Sequence, residues 1–546
     1  MNRRILATGL CICFFAATFA QPSRPVVKQT KFKKDSFFIT KFGARNDGVF
    51  LNNKAINDAI NTAHKKGGGV VVIPPGLWLT GPIELKSNVN LHLQRNATLQ
   101  FTDDLSQYKL VEGNWEGLPQ MRNQSPISAT NAENIAITGF GIIDGNGDAW
   151  RMVKKDKLSA SAWKNLVASG GVVSEDGKIW YPTAQSLAGS KLKNPGVIDG
   201  TKDAAFYESV KDFLRPNLLV ITKSKKILLE GVTFQNSPAW CLHPLMSEDI
   251  TVRNISVKNP WYAQNGDGID LESCKNVLIE NSVFDVGDDG ICIKSGRDEA
   301  GRARAMPTEN VVIQNCTVYA AHGGFVIGSE MSGGARNIYV ENCTFIGTDI
   351  GLRFKTTRGR GGIVENIFIK NISMKDIIGE AILFDMYYAA QDPIPLAGEK
   401  REPPKVQSLP VTEATPQFRN FRISNVTCYG AEKAIFVRGL PEMNVQKIVL
   451  ENMILQAKQG LDMTEGNNIT LNNIQLVTKE KNPVMNIHNS RNIHLNKIGY
   501  ASAEVLLHVT GENTKDISLK NTEASHAKQL VEMSFGAKEG AVKIEK

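Results

Sequence analysis

One phrase of alternating apolar and polar positions recurs along the chain. A polar residue, usually Asn, is followed by apolar–x–apolar, a second bend residue and another apolar alternation. It begins at Asn134, Lys226, Asp249, Asn276, Asn310, Asn337, Asn366, Asn420, Lys447, Asn468, Asn492 and Asp516. Most successive starts lie 21 to 34 residues apart; the longer intervals, 134 to 226 and 366 to 420, must hold insertions. Period-two alternation puts Ile, Val and Leu on one side of two short strands joined at Asn or Gly. A single turn cannot bury that side, so turns must stack. The expected fold is all-β: a right-handed parallel β-helix with one apolar interior and turns about 4.8 Å apart. The recurring Asn residues should form side-chain ladders. Asn254, Asn315, Asn342, Asn371 and Asn425 lie in N-x-S/T triplets, and the repeat reads them as ladder positions rather than glycosylation sites.

Ahead of the repeat, Ala55, Ile56, Ala59, Ile60 and Ala63 have helical spacing within 53–65, and Gly67–Gly69 should stop the helix. A helix there would cap the open end of the solenoid. Val70–Ile73 should then be a strand.

The first residues carry a different pattern. Arg3 and Arg4 precede an apolar run from Ile5 to Ala20 that ends in small residues, as a secretory signal does. The run is short for a membrane span of about 20 apolar residues. The expected organisation is a signal at 1–20, a linker at 21–35, one β-helical domain over 36–530 and a tail at 531–546. Insertions are expected near 151–213 and 392–417. Export permits disulfides, but the six cysteines after the signal are widely spaced, which fits buried free thiols better than a disulfide scaffold or zinc site.

Composition changes little. The chain has 546 residues, with 42% hydrophobic and 22% charged, which excludes a disordered or collagen-like chain. Its formal charge of +8 falls to +6 without Arg3 and Arg4. Signs alternate and no basic tract stands out, so no nucleic-acid partner is expected.

The informative residues are those that break the repeat. Counted from the start of each phrase, Asp267 lies at offset 18, Asp288 at 12, His322 at 12, Arg353 at 16 and Asn236 at 10. Stacked turns should bring these groups to one face. Singly, a Gly-Asp pair reads as a turn and Arg-x-Lys as solvated surface. Four breaks on successive turns argue for a site. Asp288 and Asp289 would repel if both were ionised, which favours a proton on one and so a general acid. Asp267 would help activate water. A carboxylate separation near 6.5–9.5 Å would leave room for that water and imply inversion at a sugar. His322 would tune their protonation. Arg353 and Lys355, two apart on a strand, would point the same way and suit a carboxylate on a sugar. Asp270 should have a structural hydrogen-bonding role. No metal or other cofactor is required.

These motifs carry a resemblance. FGARNDG, GGGVVVIPPG, LTGPIELKSNVNLHL, IDGNGDAW, NSPAW, NGDGID, GDDGICIKSG, HGGFVIGSE and RFK resemble, in order, those of the polygalacturonases of glycoside hydrolase family 28. The resemblance runs from about Lys41 to Ser373. It implies Asp288 as general acid, Asp267 and Asp289 as water activators, and His322 as their support. It implies Arg353 and Lys355 as galacturonate binders, with Asn265 and Asn236 beside them, and Tyr387 of FDMYY as a substrate-contacting tyrosine. Two departures are NGD where the family has N-T-D, and AHG where it has G-H-G.

The implied activity is inverting hydrolysis of α-1,4-galacturonosidic bonds in a pectic chain, exo-acting if an insertion blocks one end of the groove. Hydrolysis of another pectic chain such as rhamnogalacturonan, a β-helical pectate lyase, and a noncatalytic carbohydrate-binding β-helix are the alternatives. The expected compartment is periplasmic or extracellular.

Overall fold

Every residue that opens the recurring phrase, from Asn134 to Asp516, has a left-handed backbone, with φ between 53° and 58°. Asn and Asp tolerate that region because their short side chains bond locally, so the phrase start is a bend. The computed structural model describes residues 24–389 and 404–545.

The bends separate strands that stack in parallel register into three ladders. The first runs from Ser36–Phe38 through Glu133–Gly139, Lys225–Glu230 and Thr308–Gln314. The second runs from Gly76–Thr80 through Thr233–Gln235 to Thr317–Tyr319. Both pair with the 12-residue strand Ala335–Ile346. From there each turn carries one long bent strand instead of two. The third ladder holds Leu242–Leu245, Ile269–Glu272, Asp289–Lys294, Gly323–Ile327, Leu352–Lys355 and Glu380–Asp385. This is the expected right-handed parallel β-helix, the hand that parallel crossovers adopt.

Alternate residues of each ladder point inward. Ile269, Ile291, Phe325, Leu352 and Ile382 form one column in register, all buried. Each such side chain contributes about 1.5–3 kcal/mol by leaving water. The Asn ladders are present at the bends. Asn310, Asn337 and Asn366 each donate to the Asn of the preceding turn at 3.2–3.3 Å. A second ladder joins Asn371 to Asn342 and Asn425 to Asn371, both at 2.9 Å. The six described cysteines are free and buried.

The capping helix spans Asn53–Lys65 and buries the five expected apolar residues. The strand after it is Gly69–Ile73. The expected signal at 1–20 and residues 392–403 of the second insertion lie outside the described residues. No helix among the described residues is long and apolar enough to cross a membrane.

Two boundaries need correction. Residues 531–546 are not a tail. Ala527–Ser534 and Val542–Glu545 pair with Ala503–Thr510 and Lys515–Lys520, because apolar alternation persists in them. Nor is the described part of 21–35 a plain linker. It is a strap along the bends: Lys31 N–H donates to Asn134 Oδ1, Lys28 N–H to Asp249 Oδ1, and Arg24 pairs with Glu341.

The first insertion folds into helices Ala160–Ala168, Ala184–Ser190 and Ala204–Ser209 and a small antiparallel sheet. A second excursion was not expected from the sequence: the hairpin Leu110–Trp115 and Leu118–Asn123. The insertion bonds to it, Met121 N–H donating to Gly196 O at 2.8 Å. The hairpin packs on the outer side of the third ladder, stacking Trp115 on Trp240 and accepting at Gly117 O from Arg297 N–H at 3.2 Å.

Candidate active site

The site is built on the outer face of the third ladder, where side chains alternate with the apolar column. Backbone bonds set its levels. Gly268 N–H donates to Asp289 O at 2.9 Å, and His322 N–H donates to Asp288 O at 3.0 Å. Asp267 therefore sits beside Asp289, and His322 beside Asp288. Arg353 is in register with Val326 and Cys292, three positions further along the strand. Offsets from the phrase start misplace it because the loops ahead of the third strand differ in length. Its long side chain reaches back across the gap.

Asp267, Asp288 and Asp289 each offer a carboxylate oxygen, and these lie within 4.8 Å of one another. This is closer than the expected gap of about 6.5–9.5 Å: adjacent turns hold the groups one strand spacing apart. The three differ in exposure. The side chains of Asp267 and Asp289 are almost wholly buried, whereas that of Asp288 keeps 21% of its surface.

Asp289 is held by cations. Lys355 Nζ lies 2.8 Å from its Oδ2 and Arg353 Nη1 lies 3.3 Å from its Oδ1. Burial favours its neutral form, but Lys355, Arg353 and Lys294 overcome this and keep its carboxyl well below the usual range. The cationic pair is thus engaged by the protein itself, and Lys355 is buried. Asp267 goes the other way: burial, then Asp270 and Asp288, raise it well above the usual range. Asp288 accepts from Asp289 N–H at 2.9 Å and from Asn265 N–H at 3.3 Å. His322 Nδ1 lies 3.1 Å from its Oδ1. That contact raises His322 above an ordinary imidazole against the effect of burial, with Asp289 and Asp349 adding to it.

Asn265 carries the left-handed backbone that turns the loop into the site, and its Oδ1 accepts from Arg215 Nη2 at 2.9 Å. Gly266 replaces the family's Thr where an added Cβ would lie 2.8 Å from Ala263 Cβ. Asn236 is committed to the scaffold at both ends: its Oδ1 accepts from Arg151 Nη2 at 2.7 Å and its Nδ2 donates to Asp144 Oδ1 at 3.3 Å.

Tyr387 is a correction. It is 2% exposed and joins the apolar core, with Arg438 over its ring. The strand Glu380–Asp385 has ended, and the next residue, Tyr388, faces the site instead. Lys355 Nζ lies 5.0 Å and the Arg353 guanidinium 5.8 Å from the centroid of its ring. The doubled tyrosine was the available signal, and its phase was misread by one position.

Sequence reasoning also missed Arg215, Lys294 and the Trp115–Trp240 pair. Buried Arg215 donates to Pro238 O and Gln264 O, both at 3.0 Å, and braces the loop before Asp267. Lys294 Nζ lies 3.0 Å from Glu330 Oε2 and 4.6 Å from the Trp240 ring centroid. The hairpin's Trp115 stacks on Trp240 at 5.2 Å. On this turn the outer face is closed, with Trp240 and His243 buried. On the later turns it opens, and His322 keeps 43% of its side-chain surface.

Known proteins place this arrangement. Residues 157–400 match the family model "Glycosyl hydrolases family 28", and 37–159 match "Rhamnogalacturonase A/epimerase, pectate lyase-like". A "Probable polygalacturonase" of Vitis vinifera is 32% identical over 347 residues, 62% of this chain and 60% of the relative. The chain thus spans less than two thirds of that relative's length. An "Exo-poly-alpha-D-galacturonosidase" of Dickeya chrysanthemi is 28% identical over 80% of this chain and 71% of its own. The crystal structure of a hyperthermoactive exopolygalacturonase from Thermotoga maritima superposes with a TM-score of 0.67 at 31% identity, covering 82% of this chain and 93% of that one. With that coverage added to the ladder-borne carboxylates, the chain belongs to glycosyl hydrolases family 28.

Proposed function

We propose that the chain hydrolyses the α-1,4 bond between galacturonate units of a pectic chain, from one chain end and with inversion. The observation that carries this is the layering of the three aspartates. Asp288 is the one with exposed surface, and it lies over two buried carboxylates. Asp288 protonates the leaving glycosidic oxygen as the C1–O bond breaks. A water held by Asp267 and Asp289 forms the new bond to C1 and gives its proton to that pair. Neither buried carboxylate has the exposure to attack a sugar carbon itself, so the nucleophile is water and the anomeric centre inverts. His322 holds Asp288 in place, and Arg353, Lys355 and Tyr388 face the uronate side of the groove.

The closed outer face on the turns before Asp267 favours action from a chain end, because a polymer cannot lie across Trp115 and Trp240. An unsubstituted galacturonan is favoured over rhamnogalacturonan by the pair Arg353 and Lys355. The size distribution of products from polygalacturonate tests substrate and mode together. Galacturonate or its dimer from the earliest times is expected, and an early ladder of mid-size oligomers would overturn the exo reading. The same reading has the chain exported, since its substrate is an extracellular polymer. A mature protein whose first residue is Gln21 supports export, and one retaining Met1 contradicts it.

A further inference from the structure

Beneath the three aspartates lies a fourth carboxyl that the proposed mechanism leaves unused. Asp270 is fully buried, two strand positions beyond Gly268. Neither of its oxygens accepts a hydrogen bond from a placed donor, and neither does Asp267 Oδ1. These are buried carboxyl atoms, nine-tenths or more hidden from water, and leaving them unmatched is costly. Asp270 lies three residues after Asp267, near enough for its charge to oppose ionisation of Asp267. Two ionised carboxylates only accept and repel, so burying both without a donor favours a proton on the pair.

Resting on the hydrolytic reading above, we propose that Asp267 and Asp270 carry one proton between them, with Lys294 as the fixed countercharge, so that Asp270 is a positioning residue for the water-activating aspartate.

The surrounding groups agree. Asp289 has Lys355 and Arg353, and Glu330 has Lys294 at 3.0 Å with Arg360 at 3.9 Å. Asp270 has Lys294 alone, at 3.5 Å and shared with Glu330. Asp267 has no ion pair among the described residues. From the preceding turn Asp270 meets Cys241, whose thiol burial keeps neutral, and His243, which is paired with Glu272 at 3.0 Å. From the following turn it meets Cys292, also kept neutral by burial. Asp288 and Asp289 add negative charge. Lys294 is the cation paired with Asp270, and Arg215, committed to Pro238 O, Gln264 O and Asn265 Oδ1, is the other positive charge that faces Asp267. Burial, with Lys294 opposing it, moves Asp270 up to about 8. One proton on the pair supplies a donor that these buried oxygens otherwise lack. It also leaves Asp267 an oxygen for water.

Three variants test this: Asp270→Asn, Asp270→Leu and Lys294→Met, each checked for thermal unfolding against the wild type. Infrared spectra of the wild type in heavy water at pH 7 should contain a buried carboxylic-acid C=O band that Asp270→Asn lacks. Asp270→Asn keeps a neutral donor facing Asp267, so its kcat should stay within about tenfold of the wild type. Asp270→Leu has no donor and should lose about a hundredfold or more in kcat, with KM little changed. Lys294→Met should move the loss of the infrared band to higher pH. Absence of the band from the folded wild type would overturn the proposal, as would equal kcat losses in Asn and Leu variants that melt like the wild type. Failure of the wild type to hydrolyse polygalacturonate would instead count against the hydrolytic reading, while the infrared result would still decide the shared proton.

Discussion

His322 and Asp288 are joined twice. The His322 backbone N–H donates to Asp288 O at 3.0 Å, and its Nδ1 lies 3.1 Å from Asp288 Oδ1. The ladder fixes the first contact and the side chains make the second, so the imidazole is held where the exposed aspartate needs it.

The contact raises His322 above its ordinary value, near 6.5. A raised group adds stability that is complete below its ordinary value and is lost as pH rises through the raised one. Removing the side chain in His322→Ala should therefore cost most near pH 5–6 and least in alkaline solution. The side chain is 43% exposed, so the difference should stay below about 1 kcal/mol. Urea unfolding of both proteins across pH checks this, and a gap that widens with rising pH would contradict it.

Lys355 and Asp289 form a deeply buried ion pair, with side chains 7% and 2% exposed. Lys355→Met leaves a buried carboxylate with the longer Arg353 contact alone. The expected loss is about 3–5 kcal/mol at pH 7 in guanidinium unfolding. Asp289 is held low, so its contribution is present above the ordinary value near 4 and is lost as pH falls through the lowered one. In Lys355→Met that loss should begin at higher pH, so the variant should unfold in acid before the wild type does.

Asn371 ties two turns. It donates to Asn342 and accepts from Asn425, both at 2.9 Å, and its φ is 56°. Asn371→Ala loses both bonds and keeps the left-handed backbone, at about 2–3 kcal/mol. Asn371→Gly relieves the backbone and should cost about 1 kcal/mol less. Equal losses in thermal unfolding would show that the ladder bonds alone matter at this bend.

Trp115 stacks on Trp240 at 5.2 Å, on the side where the proposed chain-end action needs the groove closed. Replacing Leu110–Asn123 by a short Gly-Ser link should open it and shift early products from monomer and dimer towards mid-size oligomers. A melting curve like that of the wild type qualifies the variant, and an unchanged product pattern from it would place the block elsewhere.

Much of this was legible along the chain. A strand's alternation and a bend's Asn are local features, so the parallel solenoid, its cap and the clustering of Asp267, Asp288, Asp289 and His322 could be read directly, whereas the third strand of each turn lies outside the two-strand phrase. What failed depended on long-range contact or on phase. The hairpin at Leu110–Asn123 is short, polar and Gly-turned, and it gains order by stacking Trp115 on Trp240, 125 residues away. Tyr387 and Tyr388 differ by one position where a strand has ended, and alternation no longer assigns a face there. Lys294 is buried by partners distant in sequence, Trp240 and Glu330, which no local pattern shows. The end at 531 was placed too early because the last strands, Ala527–Ser534 and Val542–Glu545, no longer follow the Asn-led phrase although their alternation continues.

The central claim is water attack assisted by Asp288 at the anomeric carbon. Proton NMR of polygalacturonate during the first turnovers, with Asp288→Asn alongside, tests it most directly. The β-anomer of the released galacturonate should appear first and mutarotate later, and Asp288→Asn should lose about 10²–10⁴-fold in rate while melting like the wild type. A first-formed α-anomer, an unsaturated product, or a folded Asp288→Asn variant as active as the wild type would contradict it.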